Sequence, residues 1–285
     1  MKLMILVIAL LILGALALLV LRWTDRQAEV QLWERLSATE PVASGTFSAG
    51  MVANLPNPAR RYFLFAIAPG TPLRRVAEIE MDGELSLGTK EAPNYLPMSA
   101  HQILAAPDGF IWQVRVGSGS IRIAGSDAAG PEESWSRFWL FGLVPVARAG
   151  GTTDHAMSAF GRYVAEAVIW TPAAVLPRDG VTWKAVDENT ARITLAHGGM
   201  SQSVDLTVDT EGRPVKVVFP RWSDANPEKT FRIQPFGGFL SEFETFEGFR
   251  LPTRIEAGNF FDTDAYFPFF LAKVRSIRFP HPATR

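Results

Sequence analysis

The sequence predicts a mainly β, α+β fold: an N-terminal transmembrane helix, then a large curved antiparallel sheet, an open half-barrel, with covering or plug helices. Three observations predict it. Leu3 to Leu21 is an unbroken apolar run of 19 residues. Period-two alternation separated by turn residues recurs from Leu73 to Phe279. Inside that β-rich region lies one stretch, Gly161 to Pro177, whose apolar residues recur at helical spacing.

At 1.5 Å per residue the apolar run reaches roughly 28 Å, about one hydrocarbon thickness, and reads as a signal anchor. The competing reading is a cleaved signal peptide with Ala15-Leu16-Ala17 as its site, but the run continues past it and exceeds a signal core. Arg22, Arg26 and Arg35 follow the span, and a strict count of positive charge favours a cytoplasmic domain. A short N-terminus ending in Lys2 is, however, how an uncleaved export signal begins, and large domains translocate with little regard to charge. An exported domain is therefore expected.

Thr24 to Leu36 carries Val30 with Trp33, and Leu32 with Leu36, at helical spacing, so the helix should continue as a juxtamembrane stalk. Ser37 to Ala53 is small and polar and reads as a linker. The expected division is an anchor at 1–23, juxtamembrane helix and linker at 24–53, and one β-rich domain at 54–285. A hydrophobic fraction of 47% is ample for a core, and a net charge of −1 with dispersed ions gives no field for nucleic acid. The absence of cysteine excludes a lipobox, disulfides, thiol chemistry and cysteine-ligated metal.

Asn57 and Pro58 signal a helix start, with Tyr62, Phe63, Phe65 and Ala66 on its apolar side and Arg60 and Arg61 on a solvated face. Ala77, Ile79 and Met81 alternate, and Asp82-Gly83 reads as the turn of a hairpin continued by Leu85 and Leu87. Phe110 to Val116 and Ile121 to Ile123 are further strands. Ala124 to Glu133 reads as a loop, the aromatic passage Trp135 to Val144 as a buried helix or lid, and Ala149 to Asp154 as a flexible lead into the central helix. Four meandering strands follow between Val181 and Phe219, and shorter ones from Phe231 to Phe279. A sheet this wide should curl, with helices on its concave side.

In the central helix, Ala159, Phe160, Tyr163, Val164, Ala167 and Val168 form one stripe, Arg162 and Glu166 lie one turn apart, and Thr171-Pro172 stops the helix. A buried Arg162–Glu166 pair must be mutually satisfied, so it reads as a clamp between helix and sheet, with an acid–base role or a ligand-orienting contact as alternatives. His101, His155, His197 and His281 lie far apart, without ligand spacing. Gly117-Ser118-Gly119-Ser120 is a turn rather than a nucleophile elbow, and no glycine-rich phosphate loop occurs. No catalytic residue, metal or cofactor is expected.

Trp112, Trp139, Trp170 and Trp183 either fill a core or line a groove for an acyl chain or another apolar ligand. A curved half-barrel leaves a concave interior, and the small residues of the central helix fill little of it. The candidate groove comprises Tyr163, Glu166, Trp170 and Arg162 from the helix, with Trp112, Trp183 and Trp139 from the strands.

Several fragments in order resemble a known family: Leu55-Pro56 with Arg61-Tyr62-Phe63, Asp108-Gly109-Phe110-Ile111-Trp112, Arg162-Tyr163-Val164-Ala165-Glu166 with Trp170-Thr171-Pro172, Trp183, and Gly248-Phe249-Arg250-Leu251-Pro252. The family is one of bacterial membrane-anchored proteins carrying a domain of unknown function, and the resemblance covers essentially everything after the linker. Its strand meander and late Gly-x-x-x-Pro turn are similar to the half-barrels of lipoprotein carriers and outer-membrane lipoprotein receptors. Pro235-Phe236-Gly237-Gly238 stands where a Trp-Gly pair would be expected.

The resemblance implies a bacterial membrane-anchored protein, and with the export expected from the N-terminal segment this reads as a single-pass protein of the inner membrane with a periplasmic domain. The function expected is non-enzymatic binding of an apolar ligand, lipid or lipoprotein segment; the alternatives are an adaptor with a solid core and, third, an enzyme using Glu166.

Overall fold

The computed structural model describes residues 1–41, 45–119 and 121–280. Part of the expected linker (42–44), Ser120 of the glycine–serine turn, and His281 lie outside the described residues. Helix α1, Lys2–Ser37, runs without a break from the apolar stretch into the juxtamembrane segment. Its most apolar 18-residue window has a mean hydropathy of 3.3 and none of it is buried against the protein. By length and composition this helix can cross a membrane.

Among the described residues, thirteen strands form one antiparallel open curved sheet. The first six are β1 (Ala77–Ser86), β2 (Tyr95–Ala105), β3 (Gly109–Val116), β4 (Ile123–Ala129), β5 (Ser134–Leu140) and β6 (Val144–Gly150). The other seven are β7 (Val181–Ala185), β8 (Thr190–His197), β9 (Met200–Val208), β10 (Pro214–Ser223), β11 (Arg232–Phe246), β12 (Phe249–Asn259) and β13 (Phe267–Arg278). Each half is a meander, and pairing of β1 with β13 joins them, so β6 and β7 become the two edges of the sheet. Consecutive in sequence, they sit at opposite sides in space. The chain between them must cross the whole inner face, and it does so as α3, Thr153–Trp170.

α3 begins earlier than its apolar stripe predicts. Thr152 caps it by accepting a hydrogen bond from the His155 N–H at 3.2 Å, and Asp154 places a negative charge in the first turn. The indole of Trp222 on β10 donates to Asp154 at 2.9 Å. At the far end Pro172 forces a short 3₁₀ turn, Pro172–Val175, and Trp170 donates to the Pro252 carbonyl at 3.3 Å. Helix α2, Asn57–Ala66, packs on the same inner core, where the Tyr62 hydroxyl donates to the Val168 carbonyl at 2.6 Å.

The structure corrects several expectations from sequence. Asp82-Gly83 is not a turn: β1 runs straight through it, and Gly83 is required because a Cβ there would strike the Leu271 carbonyl of β13. The aromatic passage is neither helix nor lid but strand, with Ser136 and Phe138 facing inward and Trp135 and Trp139 outward. Ala124–Glu133 is largely β4 rather than loop, since its small residues pack against neighbouring strands. The lead into α3 is shorter than expected: Ala149 and Gly150 end strand β6, and Thr153 and Asp154 already belong to the helix. Arg61 is not simply solvated; it donates to the carbonyls of Asp209 (2.8 Å) and Glu188 (3.0 Å) and to Asn189 (2.8 Å), tying α2 to two turns.

The second half of α1 does not stand free as a stalk. Leu32 and Leu36 are buried with Val76, Ile103, Ala105, Ile111, Ala128 and Trp135 in a second cluster, on the face of the sheet opposite α3. Polar contacts line the rest of this seam. Glu29 accepts from Ser126 at 2.6 Å and Gln113 at 3.3 Å, and Trp33 packs against His101 in a tilted arrangement with centroids 4.5 Å apart. The covering helices are thus split between the two faces.

Candidate ligand cavity

A cavity of about 280 Å³ lies between α3 and the inner face of the sheet. Most of its wall is apolar: Ile169 and Trp170 from α3, Val217 and Phe219 from β10, Leu240 from β11, Ile255 from β12 and Phe270 from β13. One side is polar, and α3 sets its chemistry.

Arg162 occupies the centre of that side. Its guanidinium donates to Asp127 on β4 at 2.5 Å and to Glu166 one turn ahead at 2.7 Å, and lies over the rings of Phe110 (4.6 Å) and Trp112 (5.1 Å). Gln102 of β2 donates to the second oxygen of Glu166 at 2.5 Å. Burial alone would lower the Arg162 pKa, but Glu166 and Asp127 hold it above its ordinary value. The arrangement is a satisfied ion triad locking helix to sheet. Gly161 makes the close approach possible, because a Cβ there would meet Gln202 Oε1 of β9 at 2.7 Å and Phe219 at 3.5 Å.

Of the residues expected in a groove, Arg162, Glu166, Trp170 and Trp112 come together around this cavity. Tyr163 does not line it: it points along the other side of the stripe, donating to the Pro107 carbonyl at 3.2 Å against Phe110 and Phe160. Trp183 is held by the Val175 carbonyl at 2.9 Å among Tyr62 and Phe63 of α2. Trp139 lies on the outer face, where its indole donates to Asp25 of α1 at 3.0 Å. Strand alternation separates it from Phe138 and the cavity.

Sequence reasoning missed Arg221 and Asp127. The strand containing Arg221 was expected to stop at Phe219; it continues to Ser223, so Val217, Phe219 and Arg221 share the inward register. An arginine in that apolar alternation is the signal that could have found it. Burial first, and then neighbouring Arg162, push its pKa down to about 10, which leaves it cationic at neutral pH.

Ser136 and His155 also meet here, at 3.1 Å, with Asp127 accepting from the same hydroxyl at 2.7 Å. The order is wrong for nucleophilic catalysis. Ser136 stands between acid and imidazole, and the buried His155 Nδ1 has no carboxylate to orient it. Among the described residues no group of three or more His, Asp or Glu side chains could hold a metal ion.

A family of unknown function, DUF6544, matches residues 45–271, in accord with the ordered motifs read from the sequence. No curated protein matches the chain. Two solved structures are similar in outline. A LolA superfamily protein from Nitrosomonas europaea has a TM-score of 0.39 and 11% identity over 78% of this chain and 91% of its own. A DUF1329 family protein from Desulfovibrio piger has a TM-score of 0.39 and 10% identity over 72% of this chain and 86% of its own. Likeness at this level carries no argument about what this chain binds.

Proposed function

The chain belongs to the DUF6544 family, whose function is unknown, and from its geometry we propose a membrane-tethered, non-enzymatic envelope protein that binds one apolar chain of a lipid or lipoprotein in the cavity beneath α3. The supporting observation is the cavity itself. Evolved interiors are close-packed, and a mostly apolar pocket of about 280 Å³ forfeits dispersion contacts unless something enters it. Its size lies near the lower end of ligand pockets, roughly 300–1,000 Å³, which fits a single acyl chain better than a whole diacyl lipid. The anchor is the inner membrane, with the domain on its periplasmic side.

The test is native mass spectrometry of the full chain taken from membranes in lipid nanodiscs. A one-to-one acyl-chain adduct in the wild type, lost in Ala165→Phe, which fills the cavity from α3, supports the reading. Ligand-free protein in both cases overturns it and favours an adaptor with a functionally solid core.

A further inference from the structure

Two buried donors on the cavity wall have no hydrogen-bond partner: the Nε of Arg221 on β10 and the indole Nε1 of Trp112 on β3. Leaving such groups unsatisfied is costly, typically 1–3 kcal/mol each, and native proteins rarely do so without a functional reason. The Arg221 side chain makes no ion pair or hydrogen bond among the described residues; its guanidinium rests 5.0 Å from the Phe236 ring centroid. The nearby carboxylates are already engaged. Asp127 and Glu166 bond Arg162, Ser136 and Gln102 instead. The wall therefore presents one uncommitted cation and one uncommitted N–H beside an apolar chamber.

We propose that this wall is a head-group site, and that the cavity selects single-chain amphiphiles bearing a carboxylate or similar oxyanion, bound by Arg221 with Trp112 as second donor. A carboxylate accepts only, through two oxygens and about four lone-pair sites, so it has acceptors to offer both donors. Its chain then lies along Ile169, Trp170, Leu240 and Ile255. A neutral alcohol of equal length offers one weaker acceptor and leaves the cation uncompensated.

This inference rests on the cavity reading, and paired probes separate the two. The full-length chain in nanodiscs is titrated with decanoate and with 1-decanol, followed by calorimetry. Decanoate should bind the wild type about tenfold or more tightly than decanol, the scale of a charge-assisted hydrogen bond. Arg221→Gln should bring decanoate to the decanol level, and Trp112→Phe, which keeps a ring, should weaken decanoate more than it weakens decanol. Equal affinities in the wild type overturn the head-group site, and need no variant to fold. If neither probe binds, the cavity reading itself fails.

A separate observation carries a second inference. The β5–β6 hairpin exposes Phe141 (50%), Leu143 (62%), Val144 (51%) and Val146 (50%). It is pinned beside Arg22, the first residue after the apolar run: the Arg22 guanidinium lies 5.2 Å from the Trp139 ring, and its Nη2 comes within 4.0 Å of where a Gly142 Cβ would sit. Once α1 spans a bilayer, this tip is held at the depth of the membrane surface. We infer that the hairpin is a second membrane contact that seats the sheet on the bilayer carrying α1.

The chain contains no cysteine, so a nitroxide on L143C reports from one place. In vesicles of phosphatidylethanolamine and phosphatidylglycerol it should show the oxygen accessibility of the acyl region. A label on V186C, in the β7–β8 turn at the opposite end of the sheet, should remain aqueous. An aqueous signal at both positions overturns the contact.

Discussion

Asp25, four residues beyond the apolar run of α1, receives both terminal nitrogens of Arg148 on edge strand β6, at 2.6 and 2.9 Å. Arg137 on β5 approaches the same carboxylate at 3.3 Å. A residue of α1 is therefore bonded to the sheet edge, and the orientation of the apolar helix relative to the sheet is set by a side chain rather than left to a free linker.

Asp25→Asn should loosen that seam. Asp25 is only 3% exposed, so its loss strands two arginines against a neutral amide. Because Arg148 retains partial solvent access, the cost should be about 1–2 kcal/mol rather than that of a fully buried pair. Hydrogen exchange of the amides from Asp25 to Leu36 should accelerate about tenfold while α3 stays protected; unchanged exchange would contradict the contact.

The seam should also resist acid. Burial acts to raise the Asp25 pKa, but hydrogen bonds and charge from Arg148, with Trp139 and Arg137, hold it below the ordinary 3.8. A depressed carboxylate stabilises the fold fully above its unfolded value and loses that contribution as pH falls through the folded one. Protection factors in this segment, exchange relative to the intrinsic rate at each pH, should stay flat down to about pH 4 and fall only below it, and the acid-dependent fall should be absent in Asp25→Asn. A transition well above pH 4 would contradict the assignment.

The ion triad predicts an order of effects. Arg162→Gln leaves Asp127 and Glu166 facing each other without their cation and should cost about 3 kcal/mol or more. Glu166→Gln keeps the Arg162–Asp127 pair and should cost about 1–2 kcal/mol. Urea midpoints measure both, and a larger loss in Glu166→Gln would contradict a central Arg162.

How far this was legible in sequence follows from what each feature depends on. The apolar run and the α3 stripe depend on local period alone, and Val181 to Phe219 alternates cleanly because one face of those strands is buried. β4 and β5 escaped because alanine, glycine and tryptophan there obscure which face is inside. The seam under α1 escaped because Leu32 and Leu36 look the same on a free stalk as on a docked one. Arg162 and Glu166 were visible as a pair, but Asp127, the third member, comes from a segment read as loop. Arg221 and Trp112 stand out only once their lack of partners is known, which is a property of tertiary packing.

Gly161→Ala tests the fit of α3 to the sheet. Helix propensity alone would make alanine favourable by about 1 kcal/mol. The added methyl instead meets Gln202, whose amide is fixed by the carbonyls of Ser203 (2.7 Å) and Pro220 (3.2 Å). A net loss of about 1–2 kcal/mol is expected by thermal or urea unfolding; a gain would show that α3 sits farther from β9.

The central claim is that the space beneath α3 is a ligand site. Calorimetric titration of the full-length chain in nanodiscs with 1-decanol, wild type against Ala165→Phe, tests it most directly. One site with a negative heat-capacity change in the wild type, absent in Ala165→Phe at an unchanged melting temperature, is the predicted result. Equal binding by both proteins, or binding by neither, would contradict it.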